Sequence, residues 1–178
     1  MDTPNGRTEI EATFGNPANP DGTLNHAWQT ANIRTVAPPV GWKLFFQSNT
    51  GPVPTRGISI HRLLQDSFIA AMNDIWNHAK QDAGADATDD DVRALLHSLR
   101  LDLTGGGFNF RPITGGHQLS LHSFGIAIDW DPLNNPRGNP LTFTLPFWWY
   151  DIWKSHGWSD GRHFPTPDPM HIQFATGA

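Results

Sequence analysis

From Gly125 to Trp130 the chain alternates without a break, with Ile126, Ile128 and Trp130 on one parity and Gly125, Ala127 and Asp129 on the other. An extended strand puts residues i, i+2 and i+4 on one face, so the first set predicts a core face and the second an open one. The open face carries two small residues and one carboxylate, which leaves room beside Asp129 for a metal ion or a substrate backbone. Gly125 permits a bend, so His122 can turn toward the same place. Near the C-terminus the pattern repeats: Ile172 and Phe174 face a core, His171 and Gln173 face away, and Asp168 stands between Pro167 and Pro169. Two His and one Asp make a three-ligand set for zinc with the fourth position open to water. A further carboxylate that does not bind the ion can act as a base on that water. Spacing alone leaves open a structural hydrogen-bonding role for either His.

The remaining chain predicts an α+β domain: a central antiparallel sheet carrying the metal site, packed against helices. Ile60, Leu63, Leu64, Phe68, Met72, Ile75, Trp76 and Ala79 recur at spacings of three and four. This predicts one amphipathic helix of roughly five turns with Ser59 as N-cap and Gly84 at its end. Thr88 followed by Asp89, Asp90 and Asp91 opens a second helix, its acids at the positive end of the helix dipole. Phe147 to Lys154 predicts a third helix, ended by Gly157, and Met170 to Phe174 a strand. Pro38, Pro39, Pro52 and Pro54 keep residues 28 to 58 extended or looped. Residues 1–27, polar and rich in Asn, Pro and Gly, read as a flexible or loosely packed arm, with residues 28–178 as the main domain.

Composition narrows the chemistry. The chain of 178 residues has no Cys, which excludes thiolate catalysis, zinc ribbons and iron–sulfur centres. Its net charge of -5 shows no basic face for nucleic acid. No apolar run is long enough to span a bilayer, and the N-terminus lacks the apolar core of a secretory signal. The chain is therefore expected to have no nucleic-acid or membrane partner. Of its 17 acids only Glu9 and Glu11 are Glu, so every carboxylate beyond residue 11 is Asp. Asp131 reads as a turn residue before Pro132, and Trp149 and Trp153 as core positions on one helix face.

The pattern Ser120, His122, Gly125, Ala127, Asp129 fills every fixed position of the motif SxHxxGxAxD, and Asp168-Pro169-Met170-His171 fills a second motif of an acid, two residues and His. Together they resemble the zinc D,D-peptidase family with the Hedgehog-type fold. Within it, Gly106 to Arg111, Asn135 and His156-Gly157-Trp158 are similar to the subfamily of L-alanyl-D-glutamate endopeptidases and D-alanyl-D-alanine carboxypeptidases. The resemblance implies one Zn2+ per chain held by His122, Asp129 and His171. It implies Asp168 as catalytic base, Arg111 as the arginine that binds substrate or stabilises the oxyanion, and Ser120 as a substrate-binding residue. The implied activity is hydrolysis of an amide in the peptidoglycan stem peptide, foremost as an L-Ala–D-Glu endopeptidase of endolysin type. The alternatives are a D-Ala-D-Ala carboxypeptidase or dipeptidase, and a non-catalytic zinc-binding interaction or virion module. Such an enzyme is expected to be a monomer, made in the cytoplasm without a signal peptide and acting on the cell wall or periplasm after holin-type release.

Overall fold

The computed structural model describes residues 1–39 and 41–177. Residues 40 and 178, both inside the stretch assigned to the main domain, lie outside it. The described helices are α1 (Gly6–Phe14), α2 (His26–Asn32), α3 (Gln65–Ala83), α4 (Asp89–Ser98) and α5 (Phe147–Ser155). The strands are β1 (Ile33–Val36), β2 (Leu44–Ser48), β3 (Gly51–Thr55), β4 (Ile58–His61), β5 (Leu103–Gly106), β6 (Ala127–Trp130), β7 (Ser159–Gly161) and β8 (Asp168–Gln173). The fold is α+β. A six-stranded sheet runs in the order β3-β2-β5-β6-β8-β7, and β1 and β4 form a separate pair.

The pairs β5–β6, β6–β8 and β7–β8 around the predicted metal residues are antiparallel. β2 and β5 run parallel, so the sheet is mixed. The long connection between them contains α3 and α4, and such a helical crossover returns the chain in its original direction. β3, with Pro52 and Pro54, lies at the sheet edge, where a missing N–H costs least.

One face of the sheet meets the helices. Ile128 and Trp130 of β6 are fully buried there, as are Trp149 and Trp153 of α5. The rings of Trp130, Trp149, Trp153 and Trp158 form successive pairs with centroids 5.3–6.0 Å apart. Each such pair contributes about 0.5–1.5 kcal/mol beyond its buried area. α3 adds Phe68, Ala71, Met72, Ile75 and Ala79, the stripe its periodicity foretold. α4 begins with a capping box between Thr88 and Asp91, which satisfies two helix-end N–H groups.

Three local expectations need correction. Residues 28 to 32, expected extended or looped, belong to α2: Asn25 caps it by accepting the Trp28 N–H at 3.0 Å, and the first proline of the stretch, Pro38, lies beyond its end. Ser59 is not a helix N-cap: Ile58 to His61 pair with β1 as a strand, and a 3-10 turn at Arg62–Leu64 leads into α3. Ile60 satisfied the helical spacing to Leu63 and Leu64, but Ile58 and Ile60 also alternate, and the ladder to β1 takes them. The N-terminal segment of residues 1–27, expected as a loose arm, contains α1 and the start of α2 and enters the core through Ile10 and Phe14. It is also tied down by polar contacts. Gly6 N–H donates to Thr176 O (2.8 Å), Thr176 N–H to Pro4 O (2.9 Å) and the Arg7 guanidinium to Leu119 O (2.6 Å). Two apolar anchors in a polar stretch give too little periodicity to mark the helix in advance.

No helix of the described residues is long and apolar enough to cross a membrane.

Candidate metal centre

The site forms on the sheet face opposite the helix-packed core. Asp129 of β6 and His171 of β8 are direct cross-strand partners. Their register puts both side chains on one face at neighbouring positions. His122 reaches the same place from a short 3-10 turn, Leu121–Phe124, whose N-cap is Ser120. The Ser120 hydroxyl accepts the His122 N–H at 3.4 Å. The turn is ended by Gly125 in the left-handed region at φ 68°. A Cβ there would lie 2.8 Å from His61 N and 2.7 Å from Ile33 Cδ1, so the bend that aims His122 requires glycine.

Three potential ligand atoms converge. His122 Nε2 lies 3.2 Å from His171 Nδ1 and 3.3 Å from Asp129 Oδ1, and His171 Nδ1 lies 3.1 Å from Asp129 Oδ1. The far nitrogens are already committed. His122 Nδ1 lies 2.7 Å from the carbonyl of Gly107, to which it must donate. His171 Nε2 lies 3.1 Å from Gln173 Oε1, and the Gln173 amide is oriented by donating to Ala175 O at 3.1 Å. In neutral rings these bonds leave a lone pair on His122 Nε2 and another on His171 Nδ1, facing each other and a carboxylate oxygen. A cation satisfies all three acceptors at once. Zinc bonds of about 2.0–2.1 Å in tetrahedral geometry require ligand atoms about 3.3 Å apart, close to the triangle found here. Both His residues are more than nine-tenths buried. The residues therefore fit a zinc ion.

Without an ion the same three groups hold one another by charge, and a cation binding there takes the place of the imidazolium proton. Burial pushes the Asp129 carboxyl up, but hydrogen bonds and positive charge from His122 and His171 more than offset this and hold it well below the usual range. Burial pushes His171 down, but the Asp129 carboxylate reverses the effect and raises it. Asp168 sits at the start of β8, opposite Gly161 of β7. Burial raises its carboxyl; the Asp129 charge adds to this, while His171 and Arg137 oppose it. Its Oδ1 is buried and has no hydrogen-bond partner among the described residues. That leaves a carboxylate oxygen beside the cluster with its acceptor capacity unused.

Arg111 holds the His122 turn through its backbone: its N–H donates to Ser123 Oγ, and its carbonyl accepts from Ser123 Oγ and Ser120 N. Its guanidinium makes no hydrogen bond among the described residues. His117 and His163 are exposed and lie outside the ligand cluster. Asp131 is more than a turn residue. It is fully buried and accepts from Arg100, Gln47, Asn134 and Asn135, fixing the chain just after β6.

Sequence reasoning missed three contributors. Gln173 was placed on the same face as His171 by strand parity, which was a usable signal. The Gly107 carbonyl had none. Arg137, whose Nε lies 3.9 Å from Asp168 Oδ2, sits in the loop after β6 and belongs to neither motif.

A three-ligand cluster of this kind, on an α+β scaffold and with the buried, unpartnered Oδ1 of Asp168 near it, supports a metallopeptidase. Residues 114–174 match the family model described as D-alanyl-D-alanine carboxypeptidase, which supports a peptidase. The matched stretch contains Ser120, His122, Asp129, Asp168 and His171, with Arg111 just upstream. No curated protein and no solved structure matches the chain.

Proposed function

We propose that this chain is a zinc-dependent peptidoglycan hydrolase that cuts an amide of the stem peptide, foremost as an L-Ala–D-Glu endopeptidase of endolysin type. The observation that carries this reading is the triangle of His122 Nε2, Asp129 Oδ1 and His171 Nδ1 with the unpartnered Asp168 Oδ1 beside it. Zinc bound there would polarise the scissile carbonyl and lower the pKa of a water ligand to about 7. His122, Asp129 and His171 hold the ion, and Gly107 O and Gln173 keep the two rings in the required tautomers. Asp168 accepts a proton from the attacking water as the C–O bond forms. It returns a proton to the leaving amine as the C–N bond breaks. Arg111 contributes positive charge to the oxyanion and binds substrate, and Ser120 contacts the substrate backbone from the same turn. The enzyme acts as a monomer on the cell wall or in the periplasm, reached by holin-type release.

A second enzymatic reading, D-Ala-D-Ala carboxypeptidase or dipeptidase, is favoured by the description of the family model itself. The third reading, a zinc-holding interaction or virion module, has no use for a buried carboxylate oxygen left without a hydrogen-bond partner at Asp168. Digestion of purified peptidoglycan by the zinc-loaded protein separates them by mass spectrometry of the new ends. D-Glu amino termini mark the endopeptidase and released D-Ala the carboxypeptidase; absence of both sinks the two enzymatic readings. Asp168→Ala should keep one zinc per chain by metal analysis while cleavage falls by about 10²–10⁴. Unchanged cleavage would remove Asp168 from the mechanism.

A further inference from the structure

The fold leaves one arginine beside the proposed base with its hydrogen-bonding capacity unused. Six arginines, Arg7, Arg34, Arg62, Arg93, Arg100 and Arg162, donate from their side chains to protein acceptors. Among the described residues Arg56, Arg111 and Arg137 do not. Arg137 alone of these three forms an ion pair with a carboxylate at the site, and at 3.9 Å the contact to Asp168 is too long to be a hydrogen bond.

Its backbone is nevertheless fixed. The adjacent Gly138 N–H donates to Pro167 O at 2.8 Å, which ties the loop to the residue before Asp168. Asn135, fully buried, donates to Asp131 O and accepts from Thr144 N and Leu145 N, closing both ends of the same loop. The Arg137 side chain is 45% exposed. A guanidinium on a fixed backbone, facing solvent and not hydrogen-bonded, has its N–H groups free for a planar anion that takes two parallel bonds.

The position of that anion follows from the chemistry, given the function proposed above. Asp168 must come within hydrogen-bond reach of the leaving amine to protonate it. A group beside Asp168 therefore faces the residue that leaves. In a peptide chain of ordinary α-linkage the α-carboxyl of that residue is an amide and carries no charge. It is free in two cases that matter here: D-Glu linked onward through its side-chain carboxyl, and a C-terminal D-Ala. We propose that Arg137 is a specificity-determining residue that binds the free α-carboxylate of the leaving amino acid. The substrate class is then defined by a charged α-carboxylate immediately after the scissile amide.

The test compares ligands that differ only in that group. N-acetylmuramyl-L-Ala-D-Glu is set against its α-amide, and diacetyl-L-Lys-D-Ala-D-Ala against its C-terminal amide. Hydrolysis rates are taken with the zinc-loaded full chain, and Kd by calorimetry with zinc-loaded Asp168→Asn protein, which leaves the ligands uncut. The acid should be preferred roughly 10- to 100-fold over the amide in whichever pair the site accepts. Arg137→Ala should bring the ratio to about one, with zinc content and binding of the amide unchanged, and Arg137→Lys should restore part of it. Equal binding of acid and amide, an undiminished ratio in Arg137→Ala, or no binding of any of the four ligands overturns the inference. A protein that prefers the acid in binding but cuts neither ligand nor peptidoglycan would overturn the hydrolase reading and leave the role of Arg137 standing. The pair that shows the preference identifies which of the two carboxylates is read.

Discussion

A neutral imidazole offers a single lone pair, so the hydrogen bond at its far nitrogen decides which atom faces a metal. At His171 that decision falls to Gln173, two residues along the same strand and itself oriented by Ala175 O. Ala127 stands directly across from Gln173 in the ladder, and its small side chain leaves the amide space to lie along the sheet. Gln173→Ala should therefore lower zinc affinity by about 10–100-fold, read by competition with a chromogenic chelator, while the apo protein keeps its Tm. Equal affinity in the variant would show that Asp129 suffices to orient His171. At this scale much of the centre was legible. His122, Asp129 and His171 stood out because a metal site needs particular side chains, and side chains are what a sequence records. Gly107 did not stand out, because its contribution is a carbonyl that every residue possesses. Arg137 did not, because its nearness to Asp168 arises from a loop closed by Asn135 and from no local pattern.

The turn that carries His122 is the element on which the site depends most. It is four residues long, is capped by Ser120 and is released by a left-handed glycine. Gly125→Ala would pay about 1–2 kcal/mol for the left-handed backbone and roughly 1–3 kcal/mol for a Cβ forced against the His61 main chain. Urea unfolding should show a loss of about 2–5 kcal/mol, with zinc affinity falling alongside it; a change under about 0.5 kcal/mol, the level of a neutral surface substitution, would mean that the turn adapts. Elements were legible where one period dominated, as in α5 and the body of α3, or where a cap marked the start, as Thr88 does for α4. They were not where two periods shared the same residues, as at Ile58 to Leu64, or where the direction of a strand was set by what lay between, as with β2 and β5. α1 escaped notice because its stability comes from docking Ile10 and Phe14 into a distant core, a tertiary effect outside any local window.

Across the whole molecule, acid sensitivity has an identifiable contributor away from the candidate metal ligands. His61 is buried, with Phe14 packed edge-on at 4.9 Å and Trp28 at 5.8 Å. Burial, reinforced by the charge of Arg62, pushes its pKa down to about 4. In the unfolded chain it returns to about 6.5. Between those values the unfolded state binds a proton that the folded state refuses. The contribution is thus intact above pH 6.5, is lost as pH falls through the window to 4, and changes no further below it. Wild type should lose about 2–3 kcal/mol more than His61→Phe between pH 7 and 4.5 in urea titrations; parallel losses would acquit His61. The bonds between Pro4, Gly6 and Thr176 have a consequence of another kind. They bring the first and last residues of the fold side by side, so that the backbone traces something near a closed loop. In a loop the starting point is a convention. A short peptide could join these neighbouring segments while the chain is opened at the exposed stretch Gly84 to Asp86, and every ladder of the sheet, with the candidate ligands it aligns, would keep its neighbours.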